Sequence, residues 1–490
     1  MALVLLASAS YAAYVTKQKA DLAKIDESIQ LEGKTKLTLL PSEQKAVVEI
    51  PITTLSWFDG DYQTVRDALQ HRIDLIVVCN PYLAGWLIMD AGDSYNLKLL
   101  YDEKGEDGQQ GLFRVYDDIF EDKKPTISIH TPYAKCTEQL IACGAMLPNQ
   151  HELVGKDKAP LFRLSVIPDA EDPTGRFALV LSMTRALGDA HTYYKFLNML
   201  NLEETAPQVL VAKRESEFVV HVKAAMGNEA VDYLTTGLKQ PPVDLTETRN
   251  EPTVIKAFHV KEDWFPRKDK RARRASMFDP TGKDFHAHAS ALAVAAASAV
   301  DEACTEDVSV SENSILASWF FQLNQADVAF MVMSLRGRIA KELVSDVHAG
   351  SYTWGIPYTP IDYASPDLIE KSVSKLQRCG DDGVNEVPPL PAFRWNNSAS
   401  ISSNWASLFP DKLQLSSTCT QRSHIALYDA EMFKSMPGRS SFCFMFTSQP
   451  SDKSSGGNTK KRAGVLIACR QSVWEKIQES GIVDEILMDT

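Results

Sequence analysis

The chain has 490 residues, 44% of them apolar and 23% charged, which is the composition of folded globular protein and excludes a disordered chain. Sixty-four acids against 51 bases leave a net charge of −13, a balance that argues against a nucleic-acid partner. A single core stops growing at about 250–300 residues, so two domains or one two-lobed body are expected. Eight cysteines are scattered (79, 136, 143, 304, 379, 419, 443 and 469) without a C-x-x-C or a Cys/His group, so zinc ribbons and disulfide scaffolds are disfavoured and a reducing compartment is expected.

Residues 1–31 form an N-terminal apolar or helical segment or a targeting signal: Met1 to Val15 carries no charge, but is too short to span a bilayer and lacks the basic start of a secretory signal. The body has no membrane span, so a cytoplasmic protein is the expectation, with membrane contact at the N-terminus as the alternative. From residue 32 the chain alternates β-like and helical runs, the pattern of an α/β or α+β body. Ile73–Cys79 is compact and β-branched, reads as a strand, and ends at Asn80-Pro81. Leu161–Ile167 and Arg176–Met183 flank the turn-rich PDAEDPTG and read as a hairpin, the second strand buried mainly on one face. His191–Leu200 has helical spacing, with Tyr193, Phe196, Leu197 and Leu200 on one stripe. Residues 206–250 read as a connection between an N-terminal lobe, 32–205, and a C-terminal lobe, 251–490. In the second lobe, Thr253–Val260 reads as a strand, His288–Cys304 and Ser314–Ala326 as helices, and Val328–Leu335 as a strand. FCFMFT and AGVLIAC form a last strand pair, and Ser472 with Glu475 forms a capping box. Trp319-Phe320-Phe321 reads as core rather than a ligand box.

Several segments in order resemble the acyl-CoA-dependent acyltransferase superfamily, which contains the plant and fungal HxxxD acyltransferases, chloramphenicol acetyltransferase and condensation domains. Pro81-Tyr-Leu-Ala-Gly-Trp86-Leu is similar to its P-x-L-A-G-R-L, and LSM followed by TRALGDAHTYYKFLNML to its strand–HxxxDG–helix junction. Val310-Ser-Glu-Asn-Ser314 resembles V-S-T-N-D, Ser334-Leu-Arg336-Gly-Arg338 resembles V-D-x-R-x-R, and Ser403-Asn-Trp405 resembles T-S-W. The resemblance runs from about Lys36 to Met488. It implies a two-lobed, chloramphenicol-acetyltransferase-like fold of mixed sheets flanked by helices, with a tunnel between the lobes. It also implies a small-molecule substrate, with acyl-CoA as a candidate co-substrate. Separately, no metal is expected, and a monomer is favoured with the oligomeric state left open.

The family's histidine acts as general base, because imidazole titrates near neutrality. The matching position here is Arg185, preceded by Thr184, and a guanidinium keeps its protons at physiological pH. Asp189 matches the family's structural aspartate, with Arg336 or Arg338 as its expected partner, while the following glycine is Ala190. The family's D-F-G-W-G is degraded to Tyr428-Asp-Ala-Glu431-Met-Phe433. His191 is a candidate substitute base, against the bland reading of a helix-start residue, and Ser403 and Trp405 are candidate oxyanion donors. The basic run Arg267–Arg274, with Arg267, Arg271, Arg273 and Arg274, is a candidate for the coenzyme's phosphates, against a solvated loop. His286 and His288 lack the spacing of a chelating pair. Expected functions are therefore acyl transfer from acyl-CoA, a repurposed reaction (cyclisation, isomerisation or condensation) using Arg185, or a non-catalytic binding or scaffold protein.

Overall fold

The structure is a computed structural model that describes residues 34–44, 50–90, 93–103, 111–117, 124–155, 159–204, 206–237, 251–265, 310–339, 343–379, 389–391, 398–409, 411–429, 440–449 and 462–489. The expected helix at His288–Cys304, the basic run Arg267–Arg274, and His286 lie outside the described residues.

The N-terminal half is built on strands β1 (Lys34–Thr38), β2 (Ile52–Asp59), β3 (Trp86–Asp90), β4 (Asp93–Asp102), β5 (Phe113–Val115), β6 (Phe162–Pro168) and β7 (Arg176–Met183). Its helices are α1 (Gln63–Cys79), α2 (Tyr133–Ala142) and α3 (Ala190–Asn198). Two further helices, α4 (Phe218–Met226) and α5 (Asn228–Gly237), occupy the stretch read from sequence as a connection. The rest supplies β8 (Thr253–Val260), α6 (Glu312–Asn324), β9 (Val328–Ser334), β10 (Thr353–Tyr358), α7 (Pro366–Lys375), β11 (Ala399–Asn404), β12 (Thr420–Leu427), β13 (Ser440–Gln449), β14 (Arg462–Arg470), α8 (Gln471–Glu479) and β15 (Val483–Leu487).

Three sheets result among the described residues: β1-β4-β3, a five-stranded sheet β12-β2-β7-β6-β5, and a seven-stranded sheet β10-β9-β11-β13-β14-β8-β15. The two larger sheets each carry their own core. One packs α1, α2 and α3 on the five-stranded sheet, and the other packs α4, α6, α7 and α8 on the seven-stranded sheet. Strand β12 returns from the C-terminal half to pair antiparallel with β2, Ile425 opposite Leu55, so the two halves are woven together rather than merely abutted. No helix among the described residues is long and apolar enough to cross a membrane.

Three local expectations need correction. Ile73–Cys79 is not a strand but the end of α1. Val65, Leu69, Ile73, Ile76 and Val77 recur at helical spacing on its buried side, while Val78 is 63% exposed. The β-branched run misled because burial of one helical stripe overrides β propensity. Strand β7 is buried on both faces, since it lies inside the sheet between β2 and β6 with helices and the second half covering it. Ser472 and Glu475 form no capping box: Arg470 is the N-cap, Ser472 donates its N–H and Oγ–H to Glu251, and Glu475 accepts from Gln471. A carboxylate brought from 221 residues away does the capping that the local pattern implied.

Candidate active site

The turn between β7 and α3, Thr184 to Asp189, lies where the two halves meet. Gly188 holds a φ of +154°, and a Cβ there would come within 2.6 Å of Thr192, so the turn tolerates no side chain at that position. Asp189 is the N-cap of α3, with Oδ1 accepting from Thr192 N at 3.1 Å and from Thr192 Oγ at 3.3 Å. Its Oδ2 accepts from Arg336 Nη1 at 2.7 Å and from Tyr352 N at 3.0 Å. Arg336 spends its remaining donors on Gly350 O (2.7 Å), Thr192 Oγ (3.1 Å) and His348 O (3.1 Å). Burial pushes the Asp189 carboxyl upward, but the charge and hydrogen bonds of Arg336 prevail and hold it below the usual carboxylate range. Arg338 points elsewhere and donates to Val373 O at 3.2 Å.

A second buried ion pair, invisible at sequence level because its members are 171 residues apart, braces the same turn. Arg214 donates from Nε to both Glu43 oxygens at 2.9 and 3.0 Å. It also donates from Nη2 to the carbonyls of Ala186 and Leu187, and from Nη1 to Ala212 and Ala349. Glu43 in turn accepts from the N–H groups of Leu40 and Ser351. The segment Ala349–Tyr352 is thus held at successive residues by both pairs. The turn carrying Arg185 is fixed from two sides.

Arg185 is half-buried. Its Nε donates to Ile50 O and its Nη2 to the Tyr428 phenol, each at 3.2 Å, and no carboxylate pairs with it among the described residues. Tyr428 follows β12 and joins an aromatic layer at the seam between the sheets. Its ring lies 5.5 Å from Phe442 and 5.7 Å from Phe444, and Trp405 stacks on Phe444 at 4.9 Å. Burial raises the Tyr428 phenol's pKa, against the opposing pull of Arg185, so it stays protonated at neutral pH.

His191 lies on α3 with Nε2 at 3.2 Å from Asp346 O, which fixes the hydrogen on Nε2 and leaves Nδ1 as the basic atom. Burial and then Arg336 lower its pKa, so it is neutral at pH 7. Ser403 donates its hydroxyl to Val332 O at 3.1 Å, and Trp405 is buried with its backbone N–H on Met445 O. The structure brings Arg185, Tyr428 and the Trp405 layer together. It attaches Asp189, Arg336 and His191 to the 346–352 loop. No group of three or more metal-ligating side chains occurs among the described residues.

Sequence reading missed His424 of β12. It is fully buried, with Nδ1 2.9 Å from Ser56 Oγ, Nε2 3.1 Å from Tyr194 OH, and its ring 4.4 Å from Phe409. Burial lowers its pKa to about 3, whereas an exposed imidazole titrates near ~6.5. Between those values the unfolded chain binds a proton that the folded chain refuses, so stability falls as pH drops through this window. The melting temperature should decline from pH 6.5 towards pH 4, and His424→Gln should flatten that decline by up to about 1.4 kcal/mol per pH unit. Parallel profiles for the two proteins would show that His424 titrates normally.

Among solved structures, the chain is similar to TRI101 of F. graminearum complexed with coenzyme A and T-2 mycotoxin. The identity is 11% and the TM-score 0.53, over 92% of this chain and 100% of that one. TRI101 of the same organism complexed with coenzyme A and deoxynivalenol matches at 11% identity with a TM-score of 0.50, over the same shares. Vinorine synthase matches at 13% identity with a TM-score of 0.47, over 92% of this chain and 94% of that one. No protein-family profile and no curated protein matches the chain. The TRI101 likeness shows the fold. It is an arrangement of mixed sheets flanked by helices shared with the TRI101 structures, the fold that the motif order implied.

Proposed function

We propose that this chain is an atypical acyltransferase-fold enzyme. In this reading it takes an acyl-CoA and a small-molecule acceptor in the tunnel between the lobes, and Arg185 orients and polarises the reacting carbonyl in place of a histidine base. The observation that carries the reading is Arg185 itself. It is a half-buried guanidinium on a doubly braced turn, tied only to a carbonyl and a phenol among the described residues, with N–H donors left over. Its spare forked donors suit a ligand oxygen placed beside the turn.

The chemistry follows from what a guanidinium does. As a nucleophile attacks the thioester carbon, the carbonyl oxygen gains negative charge and the N–H groups of Arg185 stabilise it. The C–S bond then breaks, and coenzyme A leaves as the thiol, carrying the proton lost by the acceptor. Arg185 removes no proton, so the acceptor must be nucleophilic without a base. The basic run Arg267–Arg274 supplies cations suited to the coenzyme's phosphates in the same reading. The test is thiol release from acetyl-CoA by the purified protein with a panel of amines, hydroxylamines and alcohols. Acceptor-dependent release that favours the amines supports the reading. Release from none of them moves the assignment to a repurposed reaction or to a binding protein.

A further inference from the structure

At the far edge of the five-stranded sheet, away from β12, Arg114 on β5 and Arg163 on β6 bring two guanidinium groups together. Strands β5 and β6 are parallel, with Arg114 opposite Ser165, and Ser165 is two residues from Arg163, so all three side chains share one face. Arg163 is 6% exposed and Arg114 half-buried. A side chain begun at Gly111 would meet both groups, at 3.5 Å from Arg114 Nη2 and 3.8 Å from Arg163 Nη2. One begun at Gly144 would also meet both, at 3.2 Å from Arg163 Nη1 and 3.9 Å from Arg114 Nη1. Both glycines have left-handed φ values, +83° and +76°, and their carbonyls accept from Arg163 Nε and Nη1.

These bonds account for only part of the donor set. Arg163 Nη2 has no hydrogen-bond partner and neither guanidinium a carboxylate partner among the described residues. The Ser165 hydroxyl, fully buried on the same face, has no partner either. Burial, then the neighbouring Arg114, lower the Arg163 pKa to about 10, the direction expected when like charges are crowded without an anion. Arg114 also bonds the Tyr116 phenol, so the acceptors around the two guanidinium groups are neutral, and no anion balances them among the described residues, while the Ser165 hydroxyl stays orphaned.

We propose that Arg114, Arg163 and Ser165 form an anion site, separate from the Arg185 turn, that takes a dianionic phosphate group. Two forked cations match the charge and the several oxygens of such a group, whereas a carboxylate offers one charge and two oxygens.

The test uses the full chain, titrated calorimetrically with inorganic phosphate, with adenosine 3′,5′-bisphosphate and with acetate at constant ionic strength. The wild type should bind one equivalent of phosphate or bisphosphate saturably, and acetate at least tenfold more weakly. Arg114→Gln, at a half-exposed position compatible with folding, should weaken the phosphate ligand at least tenfold, and Ser165→Ala should weaken it severalfold. Binding of inorganic phosphate assigns the site to free phosphate, and binding of the bisphosphate alone assigns it to a phosphate carried on a larger molecule. No saturable binding of either, or affinities equal in wild type and both variants, overturns the proposal.

Discussion

Asp189→Asn should lower the stability of this protein by about 3–5 kcal/mol, read as a shift in the urea midpoint at unchanged slope. The substitution is nearly isosteric and keeps an oxygen able to cap α3 through the Thr192 N–H, so the loss isolates the charge. Asp189 and Arg336 are each 1% exposed at the side chain, and their 2.7 Å bond joins the two halves of the molecule. Without the carboxylate, Arg336 stays buried with carbonyls and hydroxyls alone, an uncompensated cation in a low-dielectric interior. The pH dependence has the same origin. The Asp189 pKa is depressed in the folded state, so its contribution is present above the ordinary carboxylate pKa near ~3.9 and is lost as pH falls through the folded value. Asp189→Asn should abolish that part of the acid limb. An unchanged midpoint would mean that the pair contributes nothing to holding the halves together.

The second large effect concerns turnover. If Arg185 stabilises the carbonyl oxygen, Arg185→Ala should reduce acyl transfer by about 10²–10³-fold, the usual cost of deleting one oxyanion donor. Arg185→Lys should recover little, because an ammonium cannot hold Ile50 O and Tyr428 while directing further donors at the substrate. Arg185→His should not restore the native rate, but should add slow acyl-CoA hydrolysis with an ionisation near neutrality. His191→Ala is the discriminating comparison. In this reading Arg185, not an imidazole, assists the transfer, so removing His191 should leave the rate within a few fold. Loss of the rate and of its neutral pH dependence in His191→Ala would assign the base to His191 instead.

Much of the fold could be read from the chain because it depends on local patterns. The β6–β7 hairpin, α3, α6 and the β13–β14 pair follow from alternation, helical spacing and turn residues, and the structure places them within a few residues of the expected bounds. The return of β12 to the N-terminal sheet could not be read so, because strand pairing between residues as distant in sequence as Ile425 and Leu55 leaves no local trace. The frame of the turn behaves alike. Asp189 and Arg336 were marked by motif resemblance, whereas Glu43 and Arg214 resemble ordinary surface charges until the fold buries both. Arg185 was singled out for being where a histidine was expected, but its partners Ile50 and Tyr428 lie 135 and 243 residues away. The Arg114–Ser165–Arg163 cluster had no signal at all, because an alternating basic residue in a strand normally points to solvent.

The most direct measurement is a calorimetric titration of coenzyme A and acetyl-CoA into the wild type and Arg185→Ala. The account predicts one site, with acetyl-CoA bound more tightly than coenzyme A in the wild type because Arg185 donates to the acyl carbonyl. It also predicts equal affinities for the two in the variant. Binding of neither molecule at millimolar concentration, or a preference for acetyl-CoA that survives Arg185→Ala, would contradict it.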